Sequence, residues 1–133
     1  MVLDGATFVA LCLTGHSTLP LVLPRGVVIG AGVLLVVAGI ATKLWAAATL
    51  GEKAYYWYNF FTPTHRLEPA TTGPYAFLEN PMYTVGYLQA YGFALVTGSA
   101  LGLVASLVDQ AAILAFHRSV ERVHFERATR QAA

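Results

Sequence analysis

Apolar residues fall into four long stretches, separated by short polar breaks and by one long polar segment. A helix needs about 20 residues to cross the hydrocarbon core of a bilayer. Most of the stretches approach or exceed that length, which favours an all-α integral membrane bundle that forms a single domain. The four predicted spans cover residues 5–23, 27–50, 82–97 and 99–117.

Turn signals between the spans predict which spans pack as neighbours. Residues 24–26 read Pro-Arg-Gly and residues 97–99 read Thr-Gly-Ser, and both combinations are typical of tight turns. We therefore expect two helical hairpins, one from the first two spans and one from the last two. The polar residues 51–81 form a long loop between the hairpins.

Basic residues predict the orientation in the membrane. The long loop carries Lys53 and Arg66, and the C-terminal segment carries Arg118 and further arginines. The positive-inside rule places such segments on the cytoplasmic side. Both termini and the loop are thus expected to be cytoplasmic, and a chain this short suggests a bacterial inner membrane.

Composition supports the membrane assignment and excludes other classes. Of the 133 residues, 56% are hydrophobic and only 11% are charged, whereas soluble domains carry about a quarter charged residues. With a net charge of +1 and no basic stripe, nucleic acid is excluded as a partner. Cys12 is the only cysteine, which excludes an internal disulfide and a thiolate metal cluster.

The segment at residues 73–83 is the first candidate for chemistry. It reads Gly-Pro-Tyr-Ala-Phe-Leu-Glu-Asn-Pro-Met-Tyr, and its two prolines impose a shaped backbone at the membrane boundary. Pro81 suits the first turn of the third helix, where free amides can hold an anionic group. Tyr75 and Tyr83 offer hydroxyls and ring faces to a ligand, or they are interfacial anchors.

The fourth helix is predicted to continue past the membrane as a polar extension over residues 117–128. His117, Glu121 and His124 are spaced i, i+4 and i+7, which places them on one helix face. This face should meet the proline segment on the cytoplasmic surface. Alternatively, Glu121 is a solvated residue that pairs with a neighbouring arginine. No fourth metal ligand is evident, so we predict no metal site.

These motifs resemble, in order and spacing, the isoprenylcysteine carboxyl methyltransferase and phospholipid methyltransferase superfamily of small membrane enzymes. The resemblance covers residues 30–128. Its pattern places Leu-Gly at residues 50–51, Gly-Pro-Tyr at 73–75, Arg-(His/Asn)-Pro-x-Tyr at 79–83 and Glu-Glu-x-x-Leu at 120–124. The chain departs from this pattern at Glu79, which replaces the usual arginine, and at Val120, which replaces the usual first glutamate.

The resemblance implies S-adenosylmethionine-dependent methyl transfer to a lipophilic, membrane-embedded acceptor with a carboxylate or amine headgroup. The cofactor is expected between the loop at residues 63–81 and the end of the fourth helix, with Glu121 and Asn80 as the catalytic residues. Glu121 would accept charge-assisted hydrogen bonds from the cofactor. The residues expected at the cofactor are Gly73, Pro74, Tyr75, Glu79, Asn80, Pro81, Tyr83, Glu121 and His124.

The two departures leave an alternative open. The chain is then a non-catalytic four-helix membrane protein, or a subunit of a complex, that retains the methyltransferase fold. A compensating hypothesis is that Glu79 replaces the carboxylate missing at position 120 and pairs with Arg118 or Arg122. A lid over the site is expected either to be absent or to be supplied by a partner in a homo-oligomer or hetero-oligomer.

A second polar group is predicted from depth along the helices. At about 1.5 Å of rise per residue, Lys43, Gln89 and Asp109 lie roughly 10 to 12 Å inside the cytoplasmic boundary. Charged side chains at such depth need a partner, so we expect a Lys43–Asp109 ion pair with Gln89 nearby. The group either joins helices or forms the floor of a substrate headgroup cavity. Lys43 could instead extend to the interface.

Overall fold

The structure, a computed structural model, describes residues 2–20, 22–55 and 71–121. Every regular element within those residues is helical, which confirms the predicted all-α class for this part of the chain. Short 3₁₀-helices and a π-helical turn lie at one end of the bundle. The α-helices are α1 (Val2–Thr14), α2 (Arg25–Tyr55), α3 (Leu88–Thr97) and α4 (Ala100–Phe116); the 3₁₀-helices are Gly73–Ala76 and Val85–Tyr87, and the π-helical turn is His117–Glu121.

Within the residues that the structure describes, two helices are long and apolar enough to cross a membrane, over Arg25–Gly51 and Ala100–Ser119. These helices correspond to the second and fourth predicted spans. In contrast, α1 has 13 residues and α3 has 10, which is short of the about 20 that a full crossing requires. The first and third predicted stretches are therefore only partly α-helical.

The first predicted hairpin is wrong, because α1 packs on α3 and α4 and makes no comparably extensive contact with α2 in the described chain. Hydrogen bonds after α1 explain the difference. The amide of Ser17 donates to the carbonyl of Thr97 over 3.1 Å, and the amide of Leu19 donates to that of Gly98 over 2.9 Å. The segment that follows α1 is thus held by the α3–α4 turn.

The predicted turn at residues 97–99 joins α3 to α4. Gly98 adopts a left-handed conformation, with φ 64°, that ends α3. Ser99 is fully buried and begins α4 as its N-cap, accepting a hydrogen bond from the amide of Gly102 over 3.0 Å. The hydroxyl of Thr18 accepts from the amide of Ala100 over 3.1 Å, which ties the end of α1 to the same turn.

Small residues allow close contact between neighbouring helices. A Cβ placed on Gly32 would lie 2.8 Å from the carbonyl oxygen of Gly92, so α2 and α3 approach backbone to backbone. A Cβ on Gly102 would lie 2.5 Å from the sulfur of Cys12, so this side chain of α1 packs directly on the backbone of α4. Such contacts match the packing of helices through small residues.

The pairs of neighbouring residues also show that α1 and α4 are antiparallel. Gly15 lies beside Ser99, and Cys12, three residues earlier, lies beside Gly102, three residues later. The amino end of α1 therefore points toward the end of the bundle where α4 finishes. This end also holds the 3₁₀-helices and the π-helical turn.

Candidate functional site

The Gly-Pro-Tyr motif forms a 3₁₀-turn that rests on the last turns of α2. Gly73 has φ 60°, and a Cβ there would lie 2.5 Å from the Thr49 hydroxyl and 3.3 Å from the Trp45 indole nitrogen. Both the left-handed backbone and the close approach favour glycine at this position. Pro74 is buried, and its carbonyl accepts hydrogen bonds from the amides of residues 77 and 78.

Tyr75, the third residue of this motif, is half-buried. Burial raises the pKa of the Tyr75 phenol, and the nearby Tyr83 raises it further. The two tyrosines expected at the cofactor are therefore close neighbours in the fold. Both the Gly-Pro-Tyr turn and the segment that leads into α3 pack on α2, Gly73 against Thr49 and Gly86 against Lys43.

The backbone of residues 80–87 is irregular, and this corrects the predicted start of the third helix. The carbonyl of Asn80 accepts hydrogen bonds from the amides of Tyr83 and Thr84, over 3.2 and 3.0 Å, and from the Thr84 hydroxyl over 2.6 Å. Pro81 is fully buried, and its carbonyl accepts from the amide of Gly86 over 2.8 Å. The α-helix begins only at Leu88, so Pro81 does not lie in its first turn.

Gln110 on α4 holds this irregular segment in place. Its side-chain nitrogen donates to the carbonyls of Tyr83 and Thr84, over 3.1 and 3.4 Å, and its oxygen accepts from the Tyr91 hydroxyl over 2.7 Å. Sequence reasoning missed this residue. The available signal was a second polar residue directly beside Asp109 in an otherwise apolar stretch.

The third part of the site is the end of α4. The ring of His117 lies 6.4 Å from that of Tyr83, measured between centroids, which joins this end to the segment that leads into α3. From His117 to Glu121 the backbone is π-helical, and such turns occur frequently at functional sites. Glu121 ends the described chain, while His124 lies outside it.

Glu79 is exposed and lies between the Gly-Pro-Tyr turn and the irregular segment at residues 80–87. The expected pairing with Arg118 is not made in the described part of the chain, where both side chains face outward. Arg122, the other expected partner, lies outside the described residues. The structure therefore leaves the role of Glu79 as an expectation from the sequence.

Deeper in the bundle, Tyr87 lies between the two charges that were expected to pair. Its hydroxyl donates to a carboxylate oxygen of Asp109, and the Lys43 nitrogen lies 5.7 Å from the centroid of its ring. The predicted direct Lys43–Asp109 ion pair is therefore absent from this part of the structure. Gln89 contributes its backbone, which packs against Gly39, and so lies beside the group without joining it.

Comparison with known proteins provides an independent assignment. Residues 27–131 match the phospholipid methyltransferase family. This range includes the Gly-Pro-Tyr turn, the irregular segment at residues 80–87 and the π-helical turn. No solved structure matches the chain.

Three curated relatives carry the name phosphatidylethanolamine N-methyltransferase. The protein from Schizosaccharomyces japonicus is 39% identical over 101 residues, which are 74% of this chain and 11% of the relative. The Schizosaccharomyces pombe protein is 36% identical over 72% of this chain and 10% of its own length. The Kluyveromyces lactis protein is 31% identical over 77% and 12%. The chain thus spans only 10% to 12% of the length of these relatives, all of them fungal.

Proposed function

Because the chain belongs to the phospholipid methyltransferase family, we propose that it transfers a methyl group from S-adenosylmethionine to the headgroup of a membrane lipid. An amine headgroup is the favoured acceptor, since the relatives named above are phosphatidylethanolamine N-methyltransferases. The observation that carries the proposal is the meeting of three matched segments at one end of the bundle. Gly73–Ala76 and residues 80–87 both pack on α2, and the ring contact between Tyr83 and His117 joins residues 80–87 to His117–Glu121.

A membrane location is part of the proposal. Large apolar side chains on α2 and α4 are exposed, among them Leu34 at 72% and Val108 at 62%. Such apolar surface suits contact with lipid. In the proposed arrangement α2 and α4 cross the bilayer, α1 and α3 complete the bundle, and the three-part site faces the cytoplasm. The fungal relatives lend no support to the expected bacterial inner membrane.

The residues at this end suit the chemical groups of S-adenosylmethionine, which are a carboxylate, an ammonium, ribose hydroxyls, an adenine ring and a sulfonium. Tyr75 and Tyr83 would offer hydroxyls and ring faces, and the Asn80 side chain both donates and accepts hydrogen bonds. Glu121 would accept from the ammonium or the ribose. Together these four residues would hold the cofactor, which supplies an electrophilic methyl group when bound.

The protein's own contribution is to position the acceptor, exclude water and take up a proton. Alignment of two reactants in one site lowers the barrier without further chemistry. An amine headgroup arrives protonated at neutral pH and must lose that proton before it attacks. The sequence offers Glu79, Glu121 and His124 as candidate bases for this step.

Calorimetry of the detergent-purified full chain tests the proposal directly. We expect S-adenosylmethionine to bind, and we expect Glu121→Gln to weaken its affinity by roughly ten- to a hundredfold, the loss typical of a hydrogen bond to a charged group. Glu126→Gln, which makes the same change five residues later, is the matched control and should bind like the wild type. If the wild-type chain fails to bind the cofactor, the non-catalytic alternative is favoured.

Methyl transfer from radiolabelled cofactor then identifies the acceptor. Vesicles that contain phosphatidylethanolamine should become labelled, whereas vesicles of phosphatidylglycerol should not. If the label appears only on carboxylic acids of a membrane extract, the proposed amine acceptor is wrong.

A further inference from the structure

A mixed polar cluster lies beneath the candidate cofactor site, toward the middle of the bundle. It consists of Asp4 on α1, Lys43 on α2, Tyr87 before α3 and Asp109 on α4, and we call it the Tyr87 cluster. Tyr87 is buried at its centre and donates its hydroxyl hydrogen to Asp109. Lys43 lies over its ring, and Asp4 lies within electrostatic range of its hydroxyl. All four principal helical segments therefore contribute to one place.

The antiparallel packing of α1 on α4 explains why Asp4 belongs to the cluster. Gly15 lies beside Ser99 and Cys12 beside Gly102. Extending this pairing along both helices brings Asp4 to the level of residues 109–110. The amino end of α1 thus delivers a second carboxylate to the level of Asp109.

Charge balance indicates what the Tyr87 cluster lacks. Two carboxylates and one ammonium leave one negative charge uncompensated, and Lys43 approaches the ring rather than either carboxylate within the described residues. Charges within helices long enough to cross a membrane are costly unless they are paired. Asp4 and Asp109 are both exposed, so a cation can reach them from outside the bundle. One monovalent cation would neutralise the cluster.

Aromatic rings narrow the class of that cation. Tyr87 and Tyr91 meet edge to face, with centroids 6.5 Å apart, and Lys43 shows that the Tyr87 ring already accepts an ammonium nearby. Organic ammonium groups, including methylated ones, bind where aromatic rings and negative charge occur together. The combination therefore favours an ammonium headgroup over an inorganic cation.

The cluster is also joined to the candidate cofactor site by a shared support. Gln110 binds the carbonyl of Tyr83, which contacts His117, and it binds the hydroxyl of Tyr91, which contacts Tyr87. Asp109, the adjacent residue on α4, binds Tyr87 itself. A headgroup held at the cluster would lie next to the site where the methyl group is expected.

We propose that the Tyr87 cluster binds the ammonium headgroup of the acceptor lipid and selects amine headgroups over anionic ones. The inference rests on the proposed methyl transfer and adds to it the residues that recognise the acceptor. Asp4 and Asp109 supply the negative charge, and Tyr87 positions Asp109 and offers its ring. The positive charge of Lys43 leaves the Tyr87 cluster with a net charge of one negative unit, which a single monovalent cation neutralises.

Lipid binding in the absence of S-adenosylmethionine tests the inference. The detergent-purified full chain is titrated with dihexanoylphosphatidylethanolamine and with dihexanoylphosphatidylglycerol, which has equal acyl chains and no amine. We expect the wild type to prefer the amine lipid by at least about tenfold, the effect of a single good charge-assisted contact. Asp109→Asn should remove most of that preference, Tyr87→Phe should reduce it about threefold, and Asp109→Glu should restore part of it.

Controls separate recognition from folding and from net charge. Arg25→Gln changes the charge at the opposite end of the bundle and should leave the preference intact. If Asp109→Asn fails to fold, as judged by its melting transition, Asp4→Asn replaces it, because Asp4 is an exposed residue near the start of α1. A folded Asp109→Asn or Asp4→Asn variant that keeps the full preference overturns the inference.

Two further measurements complete the test. The first shows whether the ammonium belongs to a lipid or to a free headgroup, and the second shows whether a negative result contradicts the proposed function or the inference. Water-soluble phosphoethanolamine should bind much more weakly than the lipid, and equal binding would overturn the assignment to a lipid. Cofactor binding is measured separately on the same samples. Loss of cofactor binding with an intact amine preference defeats the proposed function alone, whereas cofactor binding without any amine preference defeats the inference alone.

Discussion

Near the α3–α4 turn the bundle is regular and tightly packed through small residues, whereas at the other end its backbone is irregular and its side chains are polar. Cys12, Ser99 and Ser106 are almost completely buried at the first end, where Gly98 and Ser99 cap the helices. The second end is built from 3₁₀-helices and a π-helical turn. The contrast indicates a division of roles. The end near the α3–α4 turn holds the helices together, and the opposite end carries polar groups in a fixed arrangement.

The two ends also differ in what a substitution can disturb. Where α2 and α3 meet through Gly32 and Gly92, an added methyl group meets backbone atoms that cannot move independently. Where the backbone is held by side-chain hydrogen bonds, loss of one side chain frees a short segment. Packing variants should therefore weaken the whole bundle, and polar variants should act locally.

The largest effect is expected at the contact between α2 and α3. A Cβ on Gly92 would lie 2.7 Å from the backbone nitrogen of Val36, so Gly92→Ala should lower the free energy of unfolding by about 1–3 kcal/mol. Gly30→Ala is the matched control, because nothing lies within 4 Å of a Cβ there. The control should stabilise the helix by roughly 0.5–1 kcal/mol. Thermal unfolding in detergent measures both, and equal changes would contradict close packing at Gly92.

A more local effect is expected from Gln110→Leu. The variant removes the hydrogen bonds to the carbonyls of Tyr83 and Thr84 and leaves the Tyr91 hydroxyl without its acceptor. Such a loss costs about 1–3 kcal/mol. Hydrogen exchange should accelerate in residues 80–87, while the amides of residues 98–103 keep their protection.

Gln89→Leu serves as the control for this variant. It makes the same change on α3, at a side chain that makes no hydrogen bond within the described residues. Exchange in residues 80–87 should then stay close to the wild-type rate. Uniform acceleration along the whole chain in Gln110→Leu would show that the two ends are not independent.

The sequence predicted the features that depend on local pattern. The apolar lengths of the second and fourth stretches, the turn at residues 97–99 and the shaped backbone of the Gly-Pro-Tyr motif all follow from neighbouring residues, and the structure agrees with them. The docking of α1 on α3 and α4 was not predictable, because an apolar stretch does not specify its partner. The late start of α3 depends on Gln110, which lies over twenty residues away in sequence.

The candidate site shows the same division. The predicted arrangement of the spans placed the start of the third span and the end of the fourth on one surface, and the rings of Tyr83 and His117 lie 6.4 Å apart there. Depth arithmetic placed Lys43 and Asp109 at one level, but helical rise carries no information about the ring that lies between them. A side chain that lies between two predicted partners can be identified only from the three-dimensional packing.

The smallest effect is expected from Tyr75→Phe at high pH. Because the pKa of Tyr75 is raised in the folded protein, the folded state holds its phenolic proton more tightly than the unfolded state does. Its contribution to stability is complete below a pH of about 10, the usual phenol value. That contribution is lost as the pH rises from there through the folded pKa.

Denaturation of the wild type and of Tyr75→Phe between neutral pH and pH 11 checks this expectation. The wild type should lose stability more steeply above pH 10, since the variant lacks the phenol that ionises on unfolding. Parallel curves for the two proteins would argue against burial of Tyr75 between the Gly-Pro-Tyr turn and Tyr83.

The complete burial of Cys12 against Gly102 gives the chain an internal reporter of its own assembly. A thiol enclosed between two helices cannot meet a maleimide while those helices stay together, so its labelling rate measures how often α1 leaves α4. No second cysteine competes for the reagent. The unmodified protein can thus show, through one reaction, whether a ligand at the polar end tightens the helices at the other.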